Sequence, residues 1–356
     1  MPVTMRDVAL RAGVSKATVS YVLNGRETSM RITDETRTRI LDAVRELGYH
    51  PNALARGLTR KEAGAIAIVM QYPSVFSGWS GFINELMHGV TDAAIRLGYD
   101  VMLHTRQPTS IEPLLENGDT TTNEVAILTD GRVDGALLLR DTDDPLGQAL
   151  EAAGFPSILI FSHSNNPNLW YVDCDNRQGG EIATQHLISL GHTKIVHLCG
   201  PHVSGPARDR KIGFLCAMDK ANLEVPQHYI VEIPSRLSDY TKAVDLFNAP
   251  VKDRPTAVFA WSDDVAIMMM SLLKREGLKV PDDVAVIGFD STALCDHTDP
   301  PLTSVRQPIY DMADTAFTLL VSRLTCNTST PTQLRVSPEL NVRDSCGSTN
   351  IRKETR

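Results

Sequence analysis

The chain has 356 residues, 42% of them hydrophobic and 22% charged, with a formal net charge of −8. A single hydrophobic core stops growing at roughly 250–300 residues, so this length predicts a divided molecule. No apolar run is long enough to span a bilayer. Residues 1–10 (MPVTMRDVAL) lack the apolar stretch of a signal peptide. The cysteines (174, 199, 216, 295, 326, 346) are scattered, which argues against a disulfide framework or a zinc site and predicts buried, reduced thiols. The expectation is a cytoplasmic protein with no metal, no cofactor and no membrane contact.

The charge is unevenly placed. Residues 1–61 carry 11 Lys and Arg against 6 Asp and Glu, while the rest carry 24 against 37. A basic head on an acidic body suits a head that neutralises phosphates and a body that phosphates repel.

The head begins with TMRDVALRAGVSKATVSYVLN, residues 4–24. Thr4 and Asp7 form a helix start of the capping-box kind, with Asp in place of the usual Glu. Val8, Ala9 and Ala12 give one apolar face, and Gly13 supplies the backbone freedom of a sharp turn. Ser15 caps a second helix, Lys16–Leu23, with Val19, Val22 and Leu23 turned inward. Lys16, Ala17, Ser20, Tyr21 and Asn24 are left facing outward. They are small or hydrogen-bonding side chains with one cation, unlike the Glu- and Lys-rich face of a packing helix. A third helix runs from about Asp34 to Leu47, capped by Thr33, striped by Ile40, Leu41, Val44 and Leu47, and ended by Gly48. This is a helix-turn-helix, which reads double-stranded DNA. Lys16 suits either a guanine edge or a phosphate. Tyr21 suits a sugar or phosphate contact and equally suits packing on the third helix.

Residues 49–64 (YHPNALARGLTRKEAG) follow. Pro51 sets a break, and Asn52 caps a short helix, Ala53–Leu58. That helix is far below the roughly 12–15 residues needed for marginal stability in water, so it is predicted to order only against a partner. Leu54 and Leu58 do not suit a flexible linker. Beside a DNA-reading head, Leu58 suits a wedge inserted between base steps in the minor groove, with Leu54 facing the partner's copy of the same helix.

From Ala65 the texture changes. Strands are expected at 65–70, 99–105, 134–140, 157–161, 171–174, 194–199, 229–233, 256–261 and 283–289. Helices are expected near 79–97, 122–130, 144–153, 176–190, 206–222, 238–247, 262–276 and 308–325. The alternation predicts an α/β body with parallel, doubly wound sheets. So many strands divide better into two lobes, with a ligand cleft at the strands' carboxyl ends. The expected domains are a head at 1–50, a hinge and linker at 51–63, and a two-lobed effector-binding and dimerisation domain at 64–356.

Candidate ligand contacts sit at strand ends. Arg208 follows the strand KIVHLC and can fork onto two hydroxyls or a carboxylate; we read it so in preference to a surface salt bridge with Asp209. Asp290 follows DVAVIGF and is read as an acceptor for sugar hydroxyls in preference to a turn cap. Trp261 and Ser262 end TAVFAW, where the indole either lines the cleft or closes the core. Tyr72, Phe76 and Trp79 follow the first strand and suit stacking on a sugar face. Enzyme signatures are missing: GPHVSG (200–205) lacks the Lys-Ser/Thr of a phosphate loop, and neither G-x-S-x-G nor H-E-x-x-H occurs. An enzyme with a DNA-binding head is therefore the disfavoured alternative.

The segments VTMRDVALRAGVSKATVSYVLNG, ITDETRTRILDAVRELGYHPNALARGL, LGHTKIVHLCGP, PARDRKIGF, AWSDDVA, VPDDVAVIGFDST and DPPLTSVRQP together resemble the LacI (lactose repressor) family of bacterial transcription regulators. The resemblance covers essentially the whole chain. It implies a homodimeric repressor with paired hinge helices on operator DNA and a periplasmic-binding-protein-like body that senses a small effector, sugar-like or of nucleoside type. It places Lys16, Ala17 and Tyr21 at base edges, and Ser15, Thr18 and Asn24 at phosphates. Ser20 and Asn52 complete the candidate DNA-contacting set. Leu58 falls at the intercalating hinge leucine, Arg208 at the effector arginine and Asp290 at the cleft aspartate. Ser262 stands where Asn is frequent, next to Asp263. Tyr21 departs from a frequent Arg, so that base contact does not carry over, and residues 27–30 (ETSM) lengthen the turn before the third helix. Some members answer to a phosphorylated carrier protein, so control by a protein co-regulator is the second alternative.

Overall fold

A computed structural model describes residues 3–23, 32–50, 62–71, 80–105, 120–142, 144–233, 240–250, 252–326 and 330–348. The chain divides into two compact units, Met1–Ala63 and Gly64–Arg356.

The first unit holds α1 (Met5–Ala12), α2 (Lys16–Leu23) and α3 (Asp34–Leu47). The Asp7 carboxylate accepts from the Thr4 backbone N–H at 2.8 Å and the Thr4 hydroxyl at 2.7 Å, which closes the first turn of α1 and lowers the Asp7 pKa. Gly13 adopts φ 67°, where a side chain would be strained. Thr33 caps α3 through the Thr36 N–H. Val8, Val19 and Ile40 are fully buried and join Ala9, Ala12, Val22, Ala43 and Tyr49 in one core. The expected α3 stripe needs one correction. Leu41 is 36% exposed and Ala43 takes the buried position beside Ile40.

The second unit is built on two six-stranded sheets. β1 (Ala65–Met70), β2 (Asp100–His104), β3 (Gly135–Leu139), β4 (Ser157–Ile160), β5 (Tyr171–Cys174) and β11 (Gln333–Val336) form the first, in the order β11-β5-β4-β3-β1-β2, all parallel. β6 (Ile195–Cys199), β7 (Ile230–Glu232), β8 (Ala257–Ala260), β9 (Ala285–Asp290), β10 (Thr303–Arg306) and β12 (Glu339–Asn341) form the second, in the order β12-β10-β9-β8-β6-β7. Among the described residues only the β10–β12 pair is antiparallel. Continuous burial along β1, β6 and β9 is what a sheet covered on both faces requires.

Helices α4 (Gly81–Leu97), α5 (Thr120–Leu128), α6 (Leu146–Ala152) and α11 (Ile309–Cys326) cover the first sheet. Helices α7 (Asn176–Ser189), α8 (Gly205–Lys220), α9 (Thr241–Asp245) and α10 (Asp263–Arg275) cover the second. The chain passes between lobes three times, from β5 to α7, from β10 to α11 and from β11 to β12. The last three strands were not anticipated: β10 (TSVR) is largely buried but has a single aliphatic residue, while β11 and β12 are short edge strands without a fully buried residue, and none carries a hydrophobic run.

Glycines let α7 and α8 touch. A Cβ on Gly213 would stand 2.1 Å from the Arg177 carbonyl oxygen, and one on Gly180 would stand 2.2 Å from that of Arg210. The thiol expectation also needs correcting. Cys174, Cys199, Cys295 and Cys346 are buried, but Cys216 is partly exposed and Cys326 exposed.

His197 on β6 is fully buried, stacked between Phe214 and Phe259, with Nδ1 3.0 Å from the Phe259 carbonyl oxygen. Burial depresses its pKa to about 3. The unfolded chain therefore takes up this proton near the ordinary histidine value while the folded chain refuses it. Stability from this site is present above about pH 6.5 and is lost progressively as pH falls toward about 3. His197→Phe is expected to lose less stability than the native protein between about pH 7 and pH 5, by up to about 2 kcal/mol, in urea unfolding followed by circular dichroism.

Candidate DNA interface and effector cleft

In the head, the turn and α2 leave Ser15, Lys16 and Ala17 exposed, with Thr18, Ser20 and Tyr21 half-buried. Ser15 Oγ accepts from the Thr18 N–H at 3.1 Å and lies 2.8 Å from the Thr18 hydroxyl, so the cap also orders two candidate phosphate contacts. No acidic side chain lies in the first turn of α2, which leaves its positive end open to an anion. Asn24, Asn52 and Leu58 lie outside the described residues, as do Tyr72, Phe76 and Trp79.

In the body, each sheet reverses its strand order at one place. The first lobe switches between β1 and β3, the second between β6 and β8. Ligands of such folds sit outside the carboxyl ends of the strands at these points. The strand ends there supply Gln71, Arg140, Asp141 and Thr142 from one lobe, and Gly200, Trp261 and Ser262 from the other. The two walls approach closely. A Cβ on Gly205 would stand 2.0 Å from the Thr142 hydroxyl oxygen, and His163 Nδ1 lies 3.9 Å from an Asp209 carboxylate oxygen.

Three buried polar atoms at these ends have no partner among the described residues: Nε of Arg140, Oδ2 of Asp141 and the indole Nε1 of Trp261. The first lobe thus offers a donor and an acceptor, and the second a donor. Buried orphans of this kind point to a water or a ligand. The indole also packs on Gly200, where a Cβ would stand 2.6 Å from the ring, so Trp261 serves both wall and core.

Arg208 is partly exposed near Asp141 of the facing lobe, and its Nη1 lies 3.4 Å from the Val203 carbonyl oxygen. The buried arginine is Arg210, two residues on, at 4% exposure. Its Nε donates to Asn176 Oδ1 at 2.8 Å and its Nη1 to the Trp261 carbonyl at 2.5 Å. Its guanidinium lies 3.5 Å over the Phe289 ring, with Asp290 at 3.9 Å. Burial lowers its pKa, and the facing Asp290 carboxylate opposes that shift.

Asp290 is itself buried and accepts from Gln307 Nε2 at 2.6 Å. Burial pushes its carboxyl well above the usual range, against the pull of Arg210. It and Ser291 hold φ of 114° and 54°, and Phe161 after β4 holds 55°. Strained backbone at three residues at or just past strand carboxyl ends marks a functional region.

Two sequence assignments change. Asp263 is 1% exposed and both its oxygens are taken, by the Ser304 hydroxyl at 2.5 Å and by the Thr292 N–H at 2.9 Å. It is buried and anchors the second lobe internally. Ser262 caps α10 through the Val265 N–H. Sequence reasoning missed Arg210, Asn176, His163 and Asp173. The available signal was phase, since Ala207, Arg210, Phe214 and Ala217 share the buried face of α8.

Comparison with known proteins agrees with this geometry. The family model for bacterial regulatory proteins of the lacI family matches residues 4–52, and that for a periplasmic binding protein-like domain matches residues 184–346. The transcriptional repressor PurR of Vibrio campbellii is 32% identical over 343 residues, covering 96% of this chain and 98% of the relative. The chain belongs to the LacI family. The transcriptional regulator CelR of Thermobifida fusca is 34% identical over 349 residues, covering 96% of this chain and 98% of CelR. A solved CelR–cellobiose complex superposes with a TM-score of 0.67 at 31% identity, covering 96% of this chain and 99% of that one. A Lac repressor dimer bound to operator and the anti-inducer ONPF superposes with a TM-score of 0.79 at 25% identity, covering 97% and 99%. As a LacI-family member, the chain is a DNA-binding transcription regulator controlled by a small effector.

Lys16 separates two kinds of contact. For a duplex selected from a random pool, Lys16→Ala is expected to weaken binding. A phosphate contact shows as a fall of about 1 in the salt-dependence slope with sequence preference kept; a base contact shows as relaxed preference at one position. Fluorescence anisotropy at several salt concentrations distinguishes them, and unchanged affinity removes Lys16 from the interface.

Proposed function

We propose that this protein is a homodimeric cytoplasmic repressor whose operator affinity is set by an uncharged, polyhydroxylated effector in the cleft of the body. The observation that carries the reading is the set of orphaned buried atoms at the two switch points, the Arg140 Nε donor and the Asp141 Oδ2 acceptor from one lobe and the Trp261 Nε1 donor from the other. Sugar hydroxyls donate and accept, so one molecule satisfies both kinds. Carboxylates outnumber guanidinium groups along the walls: Asp141, Asp173, Asp209 and Asp290 stand against Arg140, Arg208 and Arg210, and Arg140 is already paired with Glu124. Burial raises the pKa of Asp141, Asp209 and Asp290, so each already carries a desolvation cost. A phosphate or carboxylate added to this set would be repelled at short range.

Arg210 takes the ligand-facing role that the sequence assigned to Arg208. Its Nε and Nη1 are committed to Asn176 and Trp261, and Nη2 makes no hydrogen bond to the described residues. Arg208, Asp290 and Trp261 stay in the proposed cleft set, with Tyr72, Phe76 and Trp79 as its aromatic side. One relative supports this choice of ligand, CelR having been solved with cellobiose. The DNA-contacting set is Ser15, Lys16, Ala17, Thr18, Ser20, Tyr21, Asn24 and Asn52, with Leu58 as the minor-groove wedge.

A thermal-shift screen of neutral sugars, phosphorylated sugars and nucleosides on the full chain tests the effector class. A neutral sugar at about 100 times its Kd is expected to stabilise the body by about 2.7 kcal/mol. Arg210→Lys, which keeps a cation beside Asp290 but loses the guanidinium fork, is expected to weaken the shift while leaving duplex binding intact. A response confined to phosphorylated or carboxylated compounds overturns the electrostatic argument. Leu58→Ala is expected to reduce DNA bending, read by circular-permutation gel shift, together with affinity. An unchanged bend removes the wedge.

A further inference from the structure

Arg210 sits in a closed ring of contacts that straddles the two lobes. Asp173 at the end of β5 is 1% exposed. Its Oδ1 accepts from the Cys174 N–H at 2.8 Å and from Asn176 Nδ2 at 3.2 Å, and its Oδ2 lies 2.9 Å from His163 Nδ1. Asn176 Nδ2 also donates to the Cys174 carbonyl at 3.0 Å. With its amide nitrogen held by two acceptors, Asn176 must turn its oxygen toward the Arg210 Nε–H. Backbone joins Arg210 to Asp209 on α8, and Asp209 reaches back across the cleft to His163 at 3.9 Å.

The links of this ring differ in kind. Asp173–Asn176 lies within the β5–α7 crossover, between residues three apart in sequence, and persists when the lobes move. Asn176–Arg210 lies inside the second lobe. His163–Asp209 is the one link that spans the cleft, because His163 follows β4 of the first lobe and Asp209 lies on α8 of the second. Opening the cleft breaks that contact first.

We propose that His163 is a positioning residue: through Asp173 and Asn176 it orients the Arg210 guanidinium, and through Asp209 it makes that orientation depend on closure of the lobes. This rests on the reading of the cleft as the effector site and adds how the site is regulated. Neutral His163 donates from Nδ1 to Asp173. Protonated His163 places a cation between Asp173 and Asp209, so acid favours the closed ring. The other groups facing this corner are the Tyr171 ring at 6.2 Å from the imidazole, and Arg208 and Arg335 near Asp209. The two arginines keep their charge throughout the range and do not supply the pH dependence.

The test reads Arg210 directly and needs no effector. In the full-length protein, labelled with 15N and deuterated, the Arg210 Nε–H resonance is assigned by its loss in Arg210→Lys, and its solvent exchange is followed from about pH 8 to pH 6. After correction for intrinsic chemistry, native protein is expected to show about two- to five-fold more protection at the acid end, the worth of one partly exposed ion pair. His163→Gln keeps a neutral donor for Asp173, so it is expected to retain the protection found at about pH 8 and lose the pH dependence. Asp209→Asn is expected to behave in the same way. Asn176→Ala is expected to speed exchange about tenfold at every pH, as loss of a buried hydrogen bond requires. Equal pH dependence in native protein and His163→Gln, or native behaviour in Asp209→Asn, overturns the proposal. If the ring behaves as expected while the sugar screen finds nothing, the effector reading fails and the relay stands.

Discussion

A cation with almost no water around it organises the body of this protein. Arg210 is 4% exposed, and a buried guanidinium is tolerated only when its donors and its charge are answered. Three groups from three elements answer it: Asn176 at the start of α7, the Trp261 carbonyl at the end of β8, and Asp290 at the end of β9. They can meet only if α7 and α8 pack without intervening side chains, and Gly180 and Gly213 allow that approach. The same contact fixes where the chain leaves the first lobe, because Asn176 follows β5 by two residues. Removing Arg210 would leave Asp290 buried, unpaired and on a strained backbone.

Much of this was legible in the sequence. Caps marked the head: Thr4 with Asp7, Ser15 and Thr33 each precede an apolar stripe, and the observed helices begin there. The body's buried strands read clearly because β-branched runs such as AIAIVM are buried on both faces. The short edge strands Gln333–Val336 and Glu339–Asn341 were invisible, since residues half open to water carry no hydrophobic run. Arg208 against Arg210 is a matter of helix phase. Two residues turn an α-helix by about 200°, so proximity to a strand end does not say which arginine faces the interior. The apolar companions Ala207, Phe214 and Ala217 do say it, through packing of α8 on α7. Asp263 misled for the opposite reason. A carboxylate at a strand end looks like a ligand contact until a hydroxyl and an N–H distant in sequence are found on its oxygens.

The second lobe thus separates two uses of acid. Asp263 is buried and ties α10 to β10 and to the turn at Thr292. Asp290 is held by Gln307 beside Arg210, on backbone that an ordinary residue avoids. Strain at Asp290, Ser291 and Phe161 lies at the strand ends where the lobes face each other, and the sheet interiors are free of it among the described residues. A site that must change shape keeps its unfavourable geometry where motion can release it, and the double-sided cores beneath hold it in place.

The charge asymmetry of the chain acts on two length scales. The excess of acid in the body and of base in the head favours presenting the head to DNA, but such fields fade beyond about 8–10 Å at physiological salt. Selection inside the cleft is a different matter. There, buried carboxylates act through a medium of low polarisability, and burial rather than total charge gives them weight. Residues that lie far from DNA in function can therefore reject anions by the same sign of charge that repels phosphates at the surface. The excess acid of the body and the proposed preference for a neutral ligand follow from one composition, read once through water and once without it.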